Sequence, residues 1–428
     1  MVAAPGATGG EIRGECPSAH EPFSEVDGLL ARVRTPGGVV AVAGWDALAA
    51  LSAGGLISVV EITNRANLQL RGIEPANHAA VLDRLVESGL VLADGAADIR
   101  RNVMASPTAG FDPDELIDTR RVVTAIADRL ARRAPVGLSP KFGVIVDGGG
   151  SVHVRGRRQS LAFGALVAPS GAVMFEVRIG APVPVAVADD ELLALVAPAD
   201  VLTAIDAAID LGGEVSAAAL LDLLHHRLGA HMRTCPAGAC KRSSAPSASA
   251  VGLVAQRGSG VVAVGVAPIL GRLDPAAVVG VAAVLDEFGL AEVRLTPDRG
   301  LLVPNVVADA AEAVQARFSA LGFVTEADDP ARRVLACAGA TGCAAATVDT
   351  QRDARTIIAA LRSGPVDAPD GSIHVSGCEK RCASRATHAV TLVGDAEGRY
   401  VADAVELELL NRARRGLLRG IPLSEGGR

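Results

Sequence analysis

The sequence predicts an α+β fold built on an internal duplication, and three observations carry that expectation: a repeated strand–helix pattern, a different pattern between the two copies, and two spaced cysteine pairs near the end. Gly38-Val-Val-Ala-Val42 recurs as Gly260-Val-Val-Ala-Val264, and Gly55–Arg65 (GLISVVEITNR) matches Gly289–Arg299 (GLAEVRLTPDR) without a gap. Ala79–Ser88, closed by Gly89, is mirrored by Ala310–Leu321, closed by Gly322. Apolar residues at three- and four-residue steps make both stretches helices, and each glycine suits a left-handed cap. Arg101-Asn-Val-Met-Ala105 then answers Arg333-Val-Leu-Ala336. Self-similarity in a fixed order marks a repeated architecture. Each copy reads strand, helix, strand, short strand, helix, the order of a ferredoxin-like half-domain.

The intervening region differs. Asp112-Pro113, with Glu115 three residues past the cap, predicts a helix running to Arg133. Strands are expected at Phe142–Val146, Ser151–Val154 and Val173–Arg178, and helix over Leu192–Leu228 with breaks at Pro198 and Gly212-Gly213. Ser243–Ala250 (SSAPSASA) is a small-residue linker. After Cys337 the chain alternates again: strand near Ile373–Val375, helix near Lys380–Thr387, strand near Ala389–Val393, helix over Ala404–Arg415. The expected division is a first half-domain at 20–105, an α/β domain at 106–235, a linker at 236–257, a second half-domain at 258–332 and a second α/β domain at 333–428.

Bulk properties exclude several roles. A chain of 428 residues with 50% apolar side chains can build several cores. Its net charge of −7 and 2% aromatic content argue against general nucleic-acid binding, which needs a basic face and stacking platforms. The apolar run Ser160–Phe175 contains Pro169 and Gly171 and is too short to span a bilayer. Met1–Gly10 lacks the form of a secretory signal, so a cytoplasmic location is expected, where seven cysteines suit metal ligation better than disulfides. Three lysines, Lys141, Lys241 and Lys380, stand among 41 basic residues.

Cys337 and Cys343 (CAGATGC) form one pair and Cys378 and Cys382 (CEKRC) another. Four thiolates in two glycine- and alanine-rich loops can ligate an iron–sulfur cube or a zinc ion, or simply be four buried thiols. The five-residue gap in the first pair is wider than structural zinc sites prefer. Upstream, Arg65, Asn67, Gln69 and Arg71 alternate and would share one strand face, while Arg100-Arg101-Asn102 and Ser139-Pro-Lys141-Phe142 add cations. Guanidinium forks bind carboxylates bidentately, so this set is a candidate polyanion pocket.

At these residues the chain resembles the siroheme-dependent sulfite and nitrite reductases. The resemblance rests on C-x5-C followed by C-x3-C, on Arg385-Ala386 and Val390-Thr-Leu-Val-Gly394, and on the Thr-x-Arg, Arg-Asn-Val and Pro-Lys-Phe segments; it spans about Gly28 to Tyr400. It implies a sulfite/nitrite-reductase-like α+β fold with half-domains related by a pseudo-twofold axis. It further implies a 4Fe–4S cluster on Cys337, Cys343, Cys378 and Cys382, with Cys382 at the position that bridges to siroheme iron. Arg65, Arg101 and Lys141 fall at positions that surround tetrapyrrole carboxylates and substrate.

The chain departs from the reductases at Gly143, where they carry a second lysine, at Glu379-Lys380, where they carry Pro-Asn, and at Arg71, where sulfite enzymes carry His. Without that lysine, a developing oxyanion loses electrostatic stabilisation. Arg13-Gly-Glu-Cys16-Pro, Asp27-Gly-Leu-Leu-Ala-Arg32-Val-Arg34 and His374-Val-Ser-Gly-Cys378 resemble instead the precorrin-3B synthase branch of the family. That branch implies an oxygen-dependent monooxygenase that hydroxylates precorrin-3A at C20 with γ-lactone formation. Its electrons would come from an NADH-linked reductase or ferredoxin. A siroheme-dependent sulfite or nitrite reductase and a zinc-stabilised tetrapyrrole carrier are the alternatives.

Cys235 and Cys240 (CPAGAC), with His225, His226 and His231 nearby, form a second candidate metal cluster, for a mononuclear iron. Gly148-Gly-Gly150 lacks the following helix and acidic partner of a dinucleotide fingerprint.

Overall fold

A computed structural model of the protein describes residues 16–133, 138–184, 188–212, 216–363, 370–384, 386–404, 417–418 and 420–424. The first half-domain contains β1 (Phe23–Glu25), β2 (Gly28–Val33), β3 (Val39–Ala41), α1 (Val42–Ala53), β4 (Val59–Ile62), β5 (Leu68–Ile73), α2 (His78–Glu87) and the short α3 (Gly95–Asp98). The first α/β module follows with β6 (Val103–Ala105), α4 (Arg120–Arg133), β7 (Val144–Asp147), β8 (Leu161–Val167), β9 (Val173–Ile179), β10 (Leu192–Val196), α5 (Val201–Leu211), α6 (Ala217–Leu228) and β11 (Arg233–Pro236). The second half-domain repeats the first as β12 (Gly252–Ala255), β13 (Val261–Val266), β14 (Arg272–Leu273), α7 (Pro275–Glu287), β15 (Glu292–Leu295), β16 (Leu301–Val307) and α8 (Ala311–Ala320). The second α/β module has β17 (Val334–Ala336), α9 (Thr350–Arg362), β18 (Ile373–Ser376), β19 (Val390–Gly394) and β20 (Tyr400–Ala404).

The half-domains exchange strands. One sheet has the order β1-β2-β5-β4-β14 and the other β12-β13-β16-β15-β3, so each accepts an edge strand from the other copy. Both contribute to one apolar core containing Trp45, Leu48, Leu68, Val281, Leu285 and Phe318. Helices α1 and α7 pack against each other there, and the buried Trp45 Nε1 donates to the Val278 carbonyl at 3.1 Å. An indole in a core needs such a partner for its N–H.

This exchange corrects two expected correspondences. Helices α7 and α8 begin 233 residues after α1 and α2 (42 to 275, 78 to 311), and sheet order aligns β2 with β13 and β3 with β14. Gly38–Val42 therefore does not correspond to Gly260–Val264. The hairpin turns align Thr63 with Thr296, each closed by an N–H···O bond of 2.9 Å to Asn67 and Gly300, so the gapless match of Arg65 with Arg299 is off by one residue.

The α/β modules also repeat one plan: three parallel strands and an antiparallel fourth, β6-β7-β8-β9 and β17-β18-β19-β20. Several local expectations yield to this sheet. The helix expected from Asp112 begins at Arg120, because the Asp112 carboxylate turns inward to accept Ser151 N at 2.9 Å and Val152 N at 3.2 Å. Leu192–Val196 is a strand, paired with β9 and β11, rather than the start of a helix. Ser151–Val154 is irregular and is held by the 243–250 segment through His153 N to Ser247 Oγ (3.0 Å) and Ala248 N to Ser151 O (2.9 Å). Lys380–Ser384 forms turns, not a helix, and the helix expected over Ala404–Arg415 lies almost wholly outside the described residues.

Candidate functional site

Strands β17 and β18 are parallel and adjacent, pairing Val334 with Ile373, so the loops after them leave the same end of the sheet. Cys337 follows β17 directly and Cys378 lies two residues past β18. The Gly377 amide donates to Cys337 Sγ at 3.2 Å. A side chain at 377 would meet Ala346 Cβ at 2.5 Å, so glycine lets the two loops approach. The Cys337 carbonyl accepts Thr350 Oγ1 at 2.8 Å and Gln351 Nε2 at 2.6 Å, tying the first loop to α9.

Burial pushes the Cys343 thiol up, and Glu25, Cys337 and Cys378 push it further. Cys382 is raised by burial and then by Cys378, Cys337 and Cys343, with Lys380 opposing. Each of these thiolates thus feels the charge of the others, a repulsion that bound iron relieves. Among the described residues, no three His, Cys, Asp or Glu side chains close on a single ion. One zinc with bonds of about 2.3 Å needs its sulfurs nearly touching, whereas a cube carries each thiolate on a separate iron. The donor set therefore fits the cube better than one zinc.

The outer face of the first half-domain sheet lies against these loops. Register places Arg32 (β2), Gln69 (β5), Glu61 (β4) and Arg272 (β14) in one row across it. Arg272 Nη1 pairs with Glu61 Oε1 at 2.8 Å. Arg71, two residues along from Gln69, binds Asp27 through Nε (2.9 Å) and Nη2 (3.2 Å). Its Nη2 also donates to the Gly342 carbonyl inside the first cysteine loop. Burial pulls the Arg71 guanidinium down, but Glu61 and Asp27 outweigh it and hold the charge. From the other copy, Arg299 donates to Ala383 O at 2.6 Å and Ala336 O at 3.4 Å, bracing both cysteine loops. It also lines a cavity of about 270 Å³ with Asn64, Arg157, Arg332 and Ser384.

The structure divides the predicted pocket residues. Arg65 sits exposed in the β4–β5 turn, outside the strand, and Lys141 is also exposed. Asn67 is buried and structural, accepting Thr35 N at 2.9 Å and donating to Asn102 Oδ1 at 3.4 Å. Gln69 and Arg71 share the outer face, but Arg71 is committed to Asp27 and Gly342. Arg101 pairs with Asp98 at 2.5 Å and donates to Leu90 O at 3.1 Å, so it too is held within the protein. The expectation that Arg65, Asn67, Gln69 and Arg71 form one face fails because the turn ends the alternation before Leu68.

Arg32 and Arg34 are functional candidates that residue pattern alone did not single out. Burial lowers Arg32, and among its neighbours Cys16 opposes and Arg65 adds to the effect; its Nε is buried without a hydrogen-bond partner. Arg34 is lowered to about 10 by burial, with Arg32 and Arg65 contributing. Arg32, Arg34 and Arg65 repel one another, a charge arrangement that a polycarboxylate ligand would relieve. The alternation Arg32-Val-Arg34 in an apolar strand was the available signal.

The proposed mononuclear set does not assemble: His225 Nδ1 bonds Leu221 O at 2.9 Å, and His231 faces Asp200 at 3.5 Å.

Comparisons with known proteins agree with this architecture. The family model described as nitrite/sulfite reductase ferredoxin-like half domain matches residues 24–88 and 254–321, one segment in each copy. The model described as nitrite and sulphite reductase 4Fe-4S domain matches residues 96–211, a segment of the first α/β module that itself contains no cysteine. A precorrin-3B synthase of Sinorhizobium sp. is 28% identical over 90% of this chain and 82% of its own length. A ferredoxin–nitrite reductase of Synechococcus elongatus is 27% identical over 86% of this chain and 76% of its own. The NirA protein of Mycobacterium tuberculosis shares the fold, with a TM-score of 0.67 and 20% identity over 94% of this chain and 82% of its own. With both half-domains, the intervening module and full-length relatives all in agreement, the chain belongs to the nitrite and sulfite reductase family.

Proposed function

We propose that this protein is a precorrin-3B synthase: a cytoplasmic, oxygen-dependent monooxygenase that hydroxylates precorrin-3A at C20 and forms its γ-lactone. The observation that carries this reading is the packing at Gly143. A Cβ there would meet Asn102 Nδ2 at 2.5 Å and Gln159 Oε1 at 2.6 Å, so two buried amides occupy the place where reductases present a second lysine. A pocket without that cation suits a large polycarboxylate better than a small inorganic oxyanion.

Cys337, Cys343, Cys378 and Cys382 would hold the 4Fe–4S cluster, which supplies single electrons when bound. Arg32, Arg34 and Arg65 would take the acetate and propionate groups of the tetrapyrrole, with Gln69 and Lys141 as further polar partners. Arg71 and Arg299 position the cysteine loops through their carbonyls. The electron donor is expected to be a ferredoxin or an NADH-linked reductase.

Anaerobically purified protein, supplied with reductant and precorrin-3A, should consume oxygen and tetrapyrrole in equal amounts. Turnover of sulfite or nitrite by protein carrying a stable siroheme absorption, with no tetrapyrrole added, would establish the reductase reading instead.

A further inference from the structure

Outside the site just described, the first α/β module carries its own pair of thiols. Cys235 lies on β11, opposite Leu193 of β10. The chain then turns through Pro236–Ala239, where Cys240 N donates to Ala237 O at 3.0 Å, and Lys241 is clipped to Val167 by bonds of 2.9 and 2.8 Å. This turn brings Cys240 back to the apolar cluster on which Cys235 packs, so the two side chains lie side by side. Both half-buried side chains pack on the same small apolar cluster of Leu166, Met174, Leu193 and Leu195. Thr234, Pro236, Gly238 and Ala239 around them are exposed, so a small reagent can reach the pair.

We propose that Cys235 and Cys240 form a redox-active dithiol, closed to an intramolecular disulfide by low-molecular-weight or protein disulfides. His225 bonds Leu221 O and His231 faces Asp200, and among the described residues no group of three His, Cys, Asp or Glu side chains gathers at the pair. In the first step a Cys235 thiolate attacks the oxidant RS–SR, forming a mixed disulfide and releasing RS⁻. Cys240 then attacks the Cys235 sulfur and expels the second RS⁻. Two protein thiols and one oxidant disulfide become one protein disulfide and two RSH, with no other electron carrier. Burial, then Cys235, raise the Cys240 thiol to about 11. Closing the loop would fasten β11 to the Lys241 clip at the edge of the sheet.

Cleavage after Arg233 and Lys241 releases both cysteines on one peptide, Thr234–Lys241. The full chain, purified anaerobically with its cluster, is equilibrated with mixtures of reduced and oxidised glutathione, alkylated and mapped. The expected result is conversion of this peptide from doubly alkylated to unalkylated and two hydrogens lighter, reversed by dithiothreitol, while the cluster absorption is unchanged. Cys235→Ser should leave Cys240 fully alkylated. Full alkylation of both sulfurs in oxidised glutathione alone, or lasting glutathione adducts on the unsubstituted peptide, would overturn the proposal. That mapping decides the matter even if the variant does not fold.

Discussion

The two α/β modules close the same end of the same sheet with opposite chemistry. One residue past β6 stands Ser106, and one past β17 stands Cys337; two past β7 stands Gly149, and two past β18 stands Cys378. In the first module the gap between loops is filled by hydrogen bonds. Asp112 accepts Thr108 Oγ1 (3.0 Å), Ser151 N (2.9 Å) and Val152 N (3.2 Å), and Asp147 accepts Val154 N (2.8 Å). The second module leaves that place to sulfur. The half-domains diverge likewise. Where the first sheet presents Arg32, Gln69 and Glu61, the second presents Gly265, Leu302 and Arg294. Leu302 is buried against Phe111 and Val152, and Arg294 stacks 5.2 Å from the Phe111 ring and donates to Ala109 O at 3.0 Å. Duplication thus produced two equivalent faces, one left polar and one filled by the protein itself.

The sharpest test exchanges the two ways of closing a loop. Cys337→Ala should abolish the brown 4Fe–4S absorption, whereas Asp112→Ala should keep a full complement of iron and lower unfolding stability by about 3 kcal/mol, since it strands buried N–H and O–H donors. Four irons retained in Cys337→Ala would break the comparison. A second pair tests the two sheet faces. Leu302→Gln puts an unpaired amide in a filled cleft and should cost about 3 kcal/mol in denaturant unfolding. Gln69→Leu should change stability by less than about 1 kcal/mol while weakening tetrapyrrole binding measured by absorbance titration. Equal stability losses would mean that both clefts are packed alike.

The smallest effect concerns the second module's interior. His374 is buried, its Nε2 has no partner, and burial followed by His388, Arg381 and Arg299 lowers it to about 4. The unfolded chain, with an ordinary imidazole, binds the proton first as pH falls, so this stabilisation is complete above about pH 6.5 and is lost progressively towards pH 4. Urea unfolding should show about 2 kcal/mol less stability at pH 5 than at pH 8, and His374→Phe should flatten that slope. An unchanged slope would place the pH sensitivity elsewhere.

Much of this could be read locally. The helices at His78–Glu87 and Ala311–Ala320 lie within a residue or two of their expected bounds because their periodicity and glycine stops are local signals. The cysteine pairs were visible for the same reason. Asp112 misled because its carboxylate, a ready helix cap, found better donors in Ser151 and Val152, 39 and 40 residues away. Leu192–Val196 misled because a short apolar run fits strand or helix equally, and pairing with β9 decided it.

Sequence alone determined the duplication, the α+β class and which four thiols share a module, since these follow from periodicity and spacing along the chain. Only the tertiary structure decided which copy lends its edge strand to which sheet, which arginines are spent on Asp27, Asp98 and Gly342, and which of two equivalent faces stays open. The reason is physical: a guanidinium is free or committed according to neighbours that strand register and burial bring to it, and those neighbours lie tens to hundreds of residues away.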